Sequence, residues 1–170
     1  MAGWGLATPH TATAVTVNPN VDLACTLNGN LVFNPPLTTL GPADETITVT
    51  GDASSCVDNV NRGGNVIQSG TLTGTFTGPL NCVNGSAAGT LSFTWFRVNG
   101  STGTSNVNGT AAGGIIGGNL AFVGTVVSGT DLVGDMETAP ISATINQAII
   151  NACNSNGLPE DSFLGAAAFT

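Results

Sequence analysis

Residues 69–82 read SGTLTGTFTGPLNC. Threonines at 71, 73, 75 and 77 alternate strictly with Leu72, Gly74, Phe76 and Gly78. Successive side chains of an extended chain point to opposite faces, so this period of two describes a strand with one apolar and one hydroxyl face. The alternation returns along the chain. In Glu45–Asp52, Ile47 and Val49 alternate with Thr46, Thr48 and Thr50. In Thr90–Val98 (TLSFTWFRV), Leu91, Phe93 and Trp95 oppose Thr90, Ser92 and Thr94. In Asn119–Val127, Leu120, Phe122 and Val126 share a face. Each reads as a half-buried antiparallel strand with its apolar side inward.

Further strands are expected at Thr11–Val17, Leu23–Phe33, Val66–Ser69, Ser105–Thr110, Asp131–Thr138 and Phe163–Thr170. Asn28-Gly29, Asn84-Gly85, Asn99-Gly100 and Asn108-Gly109 are read as hairpin turns, because Asn-Gly accepts the positive φ of a tight turn. Pro35-Pro36, Pro42 and Pro79 punctuate the longer connections. The fold class that follows is all-β, a mainly antiparallel sandwich or barrel. Alternation alone does not separate those two.

One segment departs from the period. In SATINQAIINACNSNG, residues 142–157, Ile145, Ile149 and Cys153 recur at four, with Ala148 and Ala152 beside them. That stripe predicts one short C-terminal helix near 143–156, started by Ser142 or Thr144 and ended by Gly157. A chain of 170 residues is read as a flexible tail over 1–10 and a single β domain over 11–170.

Only 7% of residues are charged, lysine is absent, and the two cations, Arg62 and Arg97, face ten acids for a formal charge of −8. A nucleic-acid partner needs a basic stripe, and attraction to anionic lipid needs the same charges, so both are excluded as expectations. The uncharged run from Val98 to Thr130 is interrupted by Gly113, Gly114, Gly117 and Gly118 and by several asparagines, so no membrane insertion is predicted. With 41% hydrophobic residues the chain lies outside the disordered class.

Cys25, Cys56, Cys82 and Cys153 are widely spaced and form no CxxC or Cys/His cluster. Two structural disulfides in an oxidising compartment are the expected arrangement. Of the three possible connectivities, the sequential one, Cys25–Cys56 with Cys82–Cys153, is favoured. No basic segment followed by an apolar run opens the chain, and the expectation is that a native export signal has been removed.

Catalytic chemistry finds little to use. His10 is the only histidine, and no Gly-x-Ser-x-Gly elbow is present. Asp44-Glu45, Asp131 with Asp135 and Glu137, and Glu160-Asp161 are read as solvated turn acids, because their spacing fits neither a glycosidase pair nor an EF-hand loop. No enzyme, cofactor or metal is expected. Trp95 is read as a core anchor and Arg97, on the same face, as a residue paired with an acid. Both are also the candidate ligand-binding residues, Arg97 for an anion. The threonine rows are the water side of a sheet, a polysaccharide-adhesive face, or an ice-binding array, though the last requires a regular repeat that this chain lacks. The Asn-Gly-Ser/Thr sequons coincide with predicted turns.

Taken together, Cys25, the Pro-Pro-Leu-Thr loop, Thr-Val-Thr-Gly before Cys56, the stretch leading to Cys82, Gly-Thr-Leu-Ser-Phe-Thr-Trp, and the helix with Cys153 resemble small secreted, disulfide-linked β-rich proteins of actinobacteria. The likeness runs from about Thr16 and implies an exported β domain. It brings no activity or functional residue with it, and Phe96-Arg97 has no counterpart in it. The resulting expectation is a secreted or cell-surface, non-catalytic protein presenting a surface for adhesion or assembly at the cell envelope, with a homo-oligomer or cell-surface partner. The alternative is a barrel that holds a small apolar ligand inside.

Overall fold

A computed structural model describes residues 20–170. The tail over 1–10, the strand Thr11–Val17 and His10 lie outside those residues. Eight antiparallel strands follow one another: β1 (Leu23–Leu37), β2 (Ala43–Asp58), β3 (Ile67–Leu80), β4 (Ser86–Arg97), β5 (Thr102–Ala112), β6 (Leu120–Gly129), β7 (Met136–Ala143) and β8 (Leu158–Phe169). A helix, α1 (Gln147–Asn154), lies between β7 and β8. Each strand pairs with the next and β8 returns to β1, so the sheet is a closed barrel and the sandwich alternative falls away.

Parity decides which side chains fill it. Leu72 and Phe76 on β3, Leu91, Phe93 and Trp95 on β4, and Phe122 and Val126 on β6 are buried, while the threonines between them are exposed. Phe93 stacks on Trp95 at 4.7 Å between ring centroids, and Phe169 meets both edge-on at 5.5 and 5.7 Å. Phe76 and Phe122 make a second edge-to-face pair at 5.2 Å. Such aromatic pairs add about 1 kcal/mol each beyond the area they bury.

The strands are longer than the alternating stretches. The segments read as Val66–Ser69 and Leu72–Thr77 are one strand, β3, and Asp131–Asp135 forms the turn before β7 rather than its start. Of the four Asn-Gly pairs, Asn84-Gly85 and Asn99-Gly100 lie between strands, but Asn28-Gly29 and Asn108-Gly109 lie within β1 and β5. Those two glycines serve close approach instead of a turn. A Cβ on Gly29 would lie 2.7 Å from Gly51 Cα and 2.9 Å from the Phe163 ring; one on Gly109 would lie 2.6 Å from Gly124 Cα and 2.9 Å from the Phe122 ring. Pro35, Pro36 and Pro79 also fall inside strands. Pro35 and Pro36 sit where the β1–β8 register jumps from Val32 to Leu37, so the ladder asks no donor of them.

Helix α1 falls within the expected span, but its N-cap is Asn146, whose Oδ1 accepts the Ile149 N–H at 3.0 Å. Ser142 still pairs with Leu164 in the sheet, and Thr144, one residue past β7, gives its N–H to Ser162 O, so neither starts the helix. Gly157, at φ +92°, donates to Ala152 O just past the helix end.

Cys25 bonds Cys56 across a bulge between β1 and β2, and Cys82 bonds Cys153, fixing α1 over one end of the barrel. An eight-residue helix does not persist alone in water, so that bond and the burial of Cys153 hold it in place. At the other end the Asp22 N–H donates to Phe169 O, and Met136 and Thr170 exchange backbone bonds.

The bonds span 31 and 71 residues, for which loop-closure entropy gives about 4 kcal/mol of stabilisation each. Replacing either cysteine pair by alanine is therefore expected to lower the melting temperature markedly. A calorimetric scan showing no shift for Cys82→Ala/Cys153→Ala would contradict the stapling of α1.

Candidate functional site

Three regions have the chemistry to act: the rim opposite α1, the barrel interior, and the outer wall.

At the rim, Arg62 in the β2–β3 connection donates from Nε to Asp58 Oδ2 at 2.7 Å and from Nη1 to Asp131 Oδ1 at 2.8 Å. Arg97, the last residue of β4, places Nη2 at 2.6 Å from both oxygens of Asp131 and donates from Nη1 to Thr102 O at 3.0 Å. Asp58 and Asp131 are buried, and the two guanidinium groups are about 15% exposed. The network continues inward: Trp95 Nε1 donates to Ser105 Oγ at 2.9 Å, and Ser105 Oγ donates to Asp131 O at 2.7 Å. The two candidate ligand residues thus belong to one connected arrangement, Trp95 fully buried and Arg97 turned onto Asp131. Alongside it, burial pushes the Asp135 carboxyl up, the neighbouring Asp22 carboxyl adds to that, and Arg62 opposes it.

The acids are the main correction to the sequence reading. Asp131 holds two arginines, while Glu45, Glu137 and Asp161 are buried on strands rather than solvated in turns. Each stands at an inward position, in phase with Ile47, Ala139 and Phe163 respectively. That phase was the available signal. Among the described residues no group of three His, Cys, Asp or Glu side chains is placed to hold a metal.

Inside the barrel a void of about 30 Å³ remains, lined only by apolar side chains including Leu27, Leu72, Phe76, Leu91 and Phe122. Small-molecule sites run to about 300–1,000 Å³. Phe93, Trp95 and Val126 pack in the core without lining that void.

On the outside the threonine rows align. Thr50 pairs with Thr73, Thr73 with Ser92, Ser92 with Asn106 and Asn106 with Ser128, and the same row reaches Ser162 through Asn30. Parallel to it run Thr48, Thr75, Thr90, Asn108 and Thr125. Ser92 Oγ donates to Asn106 Oδ1 at 2.9 Å, and Asn106 Nδ2 donates to Ser128 Oγ at 3.1 Å, so the row is itself hydrogen-bonded. Where it crosses Gly29 and Gly51, a shallow trough of about 600 Å³ opens between Asn28, Asn30, Thr50, Asp52 and Ser162. Outward positions on β3, β4 and β5 are mostly polar and inward ones mostly apolar, whereas Val32 on β1, Val123 and Val127 on β6 and Leu164 on β8 are exposed. No helix among the described residues is long and apolar enough to cross a membrane.

Comparison with protein-family models, curated proteins and solved structures finds no match to this chain.

Breaking the rim is expected to be costly. Asp131→Asn leaves the largely buried Arg97 without its carboxylate and Arg62 with Asp58 alone, and urea unfolding should show a loss of about 3–5 kcal/mol. Trp95→Ala should lose a similar ~3–5 kcal/mol through its cavity. Near-neutral values for both would free these residues for ligand contact.

Proposed function

We propose that this is a non-catalytic extracellular protein whose outer wall adheres to a neutral polysaccharide of the cell envelope. The observation that carries this reading is the belt from Ser162 through Thr50, Thr73 and Ser92 to Ser128, in register across seven of the eight strands. Strand geometry spaces its members about 4.8 Å apart around the barrel, and the parallel row lies about 7 Å away along the strands. Hydroxyl and amide groups at such spacing supply both donors and acceptors to a polymer that presents the same groups. Asp52 is the one charged residue lining the trough, where Asn28, Asn30, Thr50 and Ser162 stand beside Phe163 and Leu164, a mixture that suits an uncharged partner.

Curvature narrows the class of partner. Eight strands close through a full circle, so each turns about 45° from its neighbour. A flat crystalline plane would touch few strands at once, whereas a flexible chain can follow the belt. The two disulfides support an oxidising, extracellular setting. A packed interior favours the outer wall over the inside as the working surface.

The test is co-sedimentation with insoluble neutral polysaccharides. Retention is expected to be unchanged between low and high salt, since no ion pair contributes, and to fall about tenfold when Thr73 and Ser92 are replaced by lysine. Equal retention of that double variant, or no retention on any neutral glycan, refutes the reading. A stoichiometric apolar molecule extracted from the purified protein would move the function to the interior.

A further inference from the structure

Four of the ten acids carry a buried side-chain oxygen without a hydrogen-bond partner among the described residues: Glu45, Asp135, Glu137 and Asp161. Glu137 is the extreme case. It is 0% exposed, neither carboxyl oxygen has a partner, and it lies opposite Gly124 on β6 and Phe169 on β8. Phe169 is the ring that meets Phe93 and Trp95.

Among the described residues the only basic side chains, Arg62 and Arg97, are already ion-paired with Asp58 and Asp131, and Arg62 keeps one buried Nη2 without a partner. Of the strands beside Glu137, β6 has no ionisable residue, and β8 has only Glu160 and Asp161, eight or more residues from Phe169. Strands β3 and β5 have none, and the one such residue in β1, Cys25, is in a disulfide. The ionisable groups at its end of the barrel are Asp22, Asp58, Asp131, Asp135 and the two arginines, and Asp58 and Asp131 already engage both arginines. An isolated carboxylate in such surroundings sheds its charge by keeping a proton.

Composition removes the usual penalty of acid. Proteins unfold at low pH partly because positive charge accumulates. Here full protonation of the carboxyls leaves at most three cationic side chains, two arginines and one histidine, against a formal −8 at neutral pH.

We infer that the barrel is built for an acidic medium, and that protonated Glu137 keeps it shut until rising pH ionises that group and loosens the fold. Burial lifts the Glu137 carboxyl from an ordinary 4.5 to about 8. It also raises Glu45, and raises Asp161 against the opposing Ser162 N–H. Because the folded chain holds the Glu137 proton more tightly than the unfolded one, the stabilisation is complete below about pH 4.5 and is lost as pH rises through about 8. That window corresponds to a change of roughly 3,000-fold in the folding equilibrium.

Urea unfolding followed by far-ultraviolet circular dichroism at pH 4.5, 6, 7.5 and 9 tests this. The intact protein should lose stability across the series by a factor on the order of a thousand in its folding equilibrium, and Glu137→Gln should lose about tenfold or less. Stability that is flat or rises from pH 4.5 to 9, or an unchanged slope in the variant, overturns the inference. Should the variant fail to fold, carbon-13 titration of the intact protein decides: a Glu carboxyl with its midpoint near 8 is expected, and every Glu titrating below about 5.5 overturns it.

Discussion

The ladder between β8 and β1, from Leu23 opposite Phe169 to Val32 opposite Glu160, is the contact on which the other arrangements depend. An open sheet of eight strands would leave two rows of backbone donors and acceptors unpaired, ready to recruit other chains. Closing it pairs both rows and leaves each strand with one face in and one face out. A slip of one residue anywhere would exchange those faces, putting threonines into the core and leucines into water. Closure also sets the interior width. Eight strands enclose a space that side chains can just fill, which is why the Phe93, Trp95 and Phe169 rings touch and why only a small void remains beside Phe76 and Phe122.

The same closure organises the outer wall. No single strand defines the hydroxyl belt, which arises because the pairing register brings Thr50, Thr73, Ser92 and Asn106 level with one another. Hydroxyls and amides, rather than lysine, supply most of the polar groups on that wall, and apart from Asp52 on β2 the few charges lie at the rim, near strand ends or in the interior.

The strands and their inner faces were legible because alternation is local: Leu91, Phe93 and Trp95 declare a buried side by themselves. Closure was not, because a strand looks alike in a sandwich and in a barrel. Asn28-Gly29 and Asn108-Gly109 misled because a turn and a tight inward approach both call for glycine. The acids were misplaced for a different reason. Acidic type points to solvent, whereas phase points inward: Glu45 keeps step with Ile47 and Val49, and Asp161 with Phe163. Arg97 was legible as a paired residue from its position beyond Trp95. Its partner was not, since Asp131 lies 34 residues away on a turn whose local sequence resembles a strand.

The rim network has a consequence for the protein's resistance to proteolysis. Proteases that cleave after basic residues have only Arg62 and Arg97 to attack in the whole chain. Both side chains are largely covered and bound to carboxylates, Arg62 to Asp58 and Asp131, and Arg97 to Asp131. To cut at either, such a protease must first pull a guanidinium out of its ion pairs, so the residues that seal one end of the barrel also withhold the chain's only tryptic sites for as long as it stays folded.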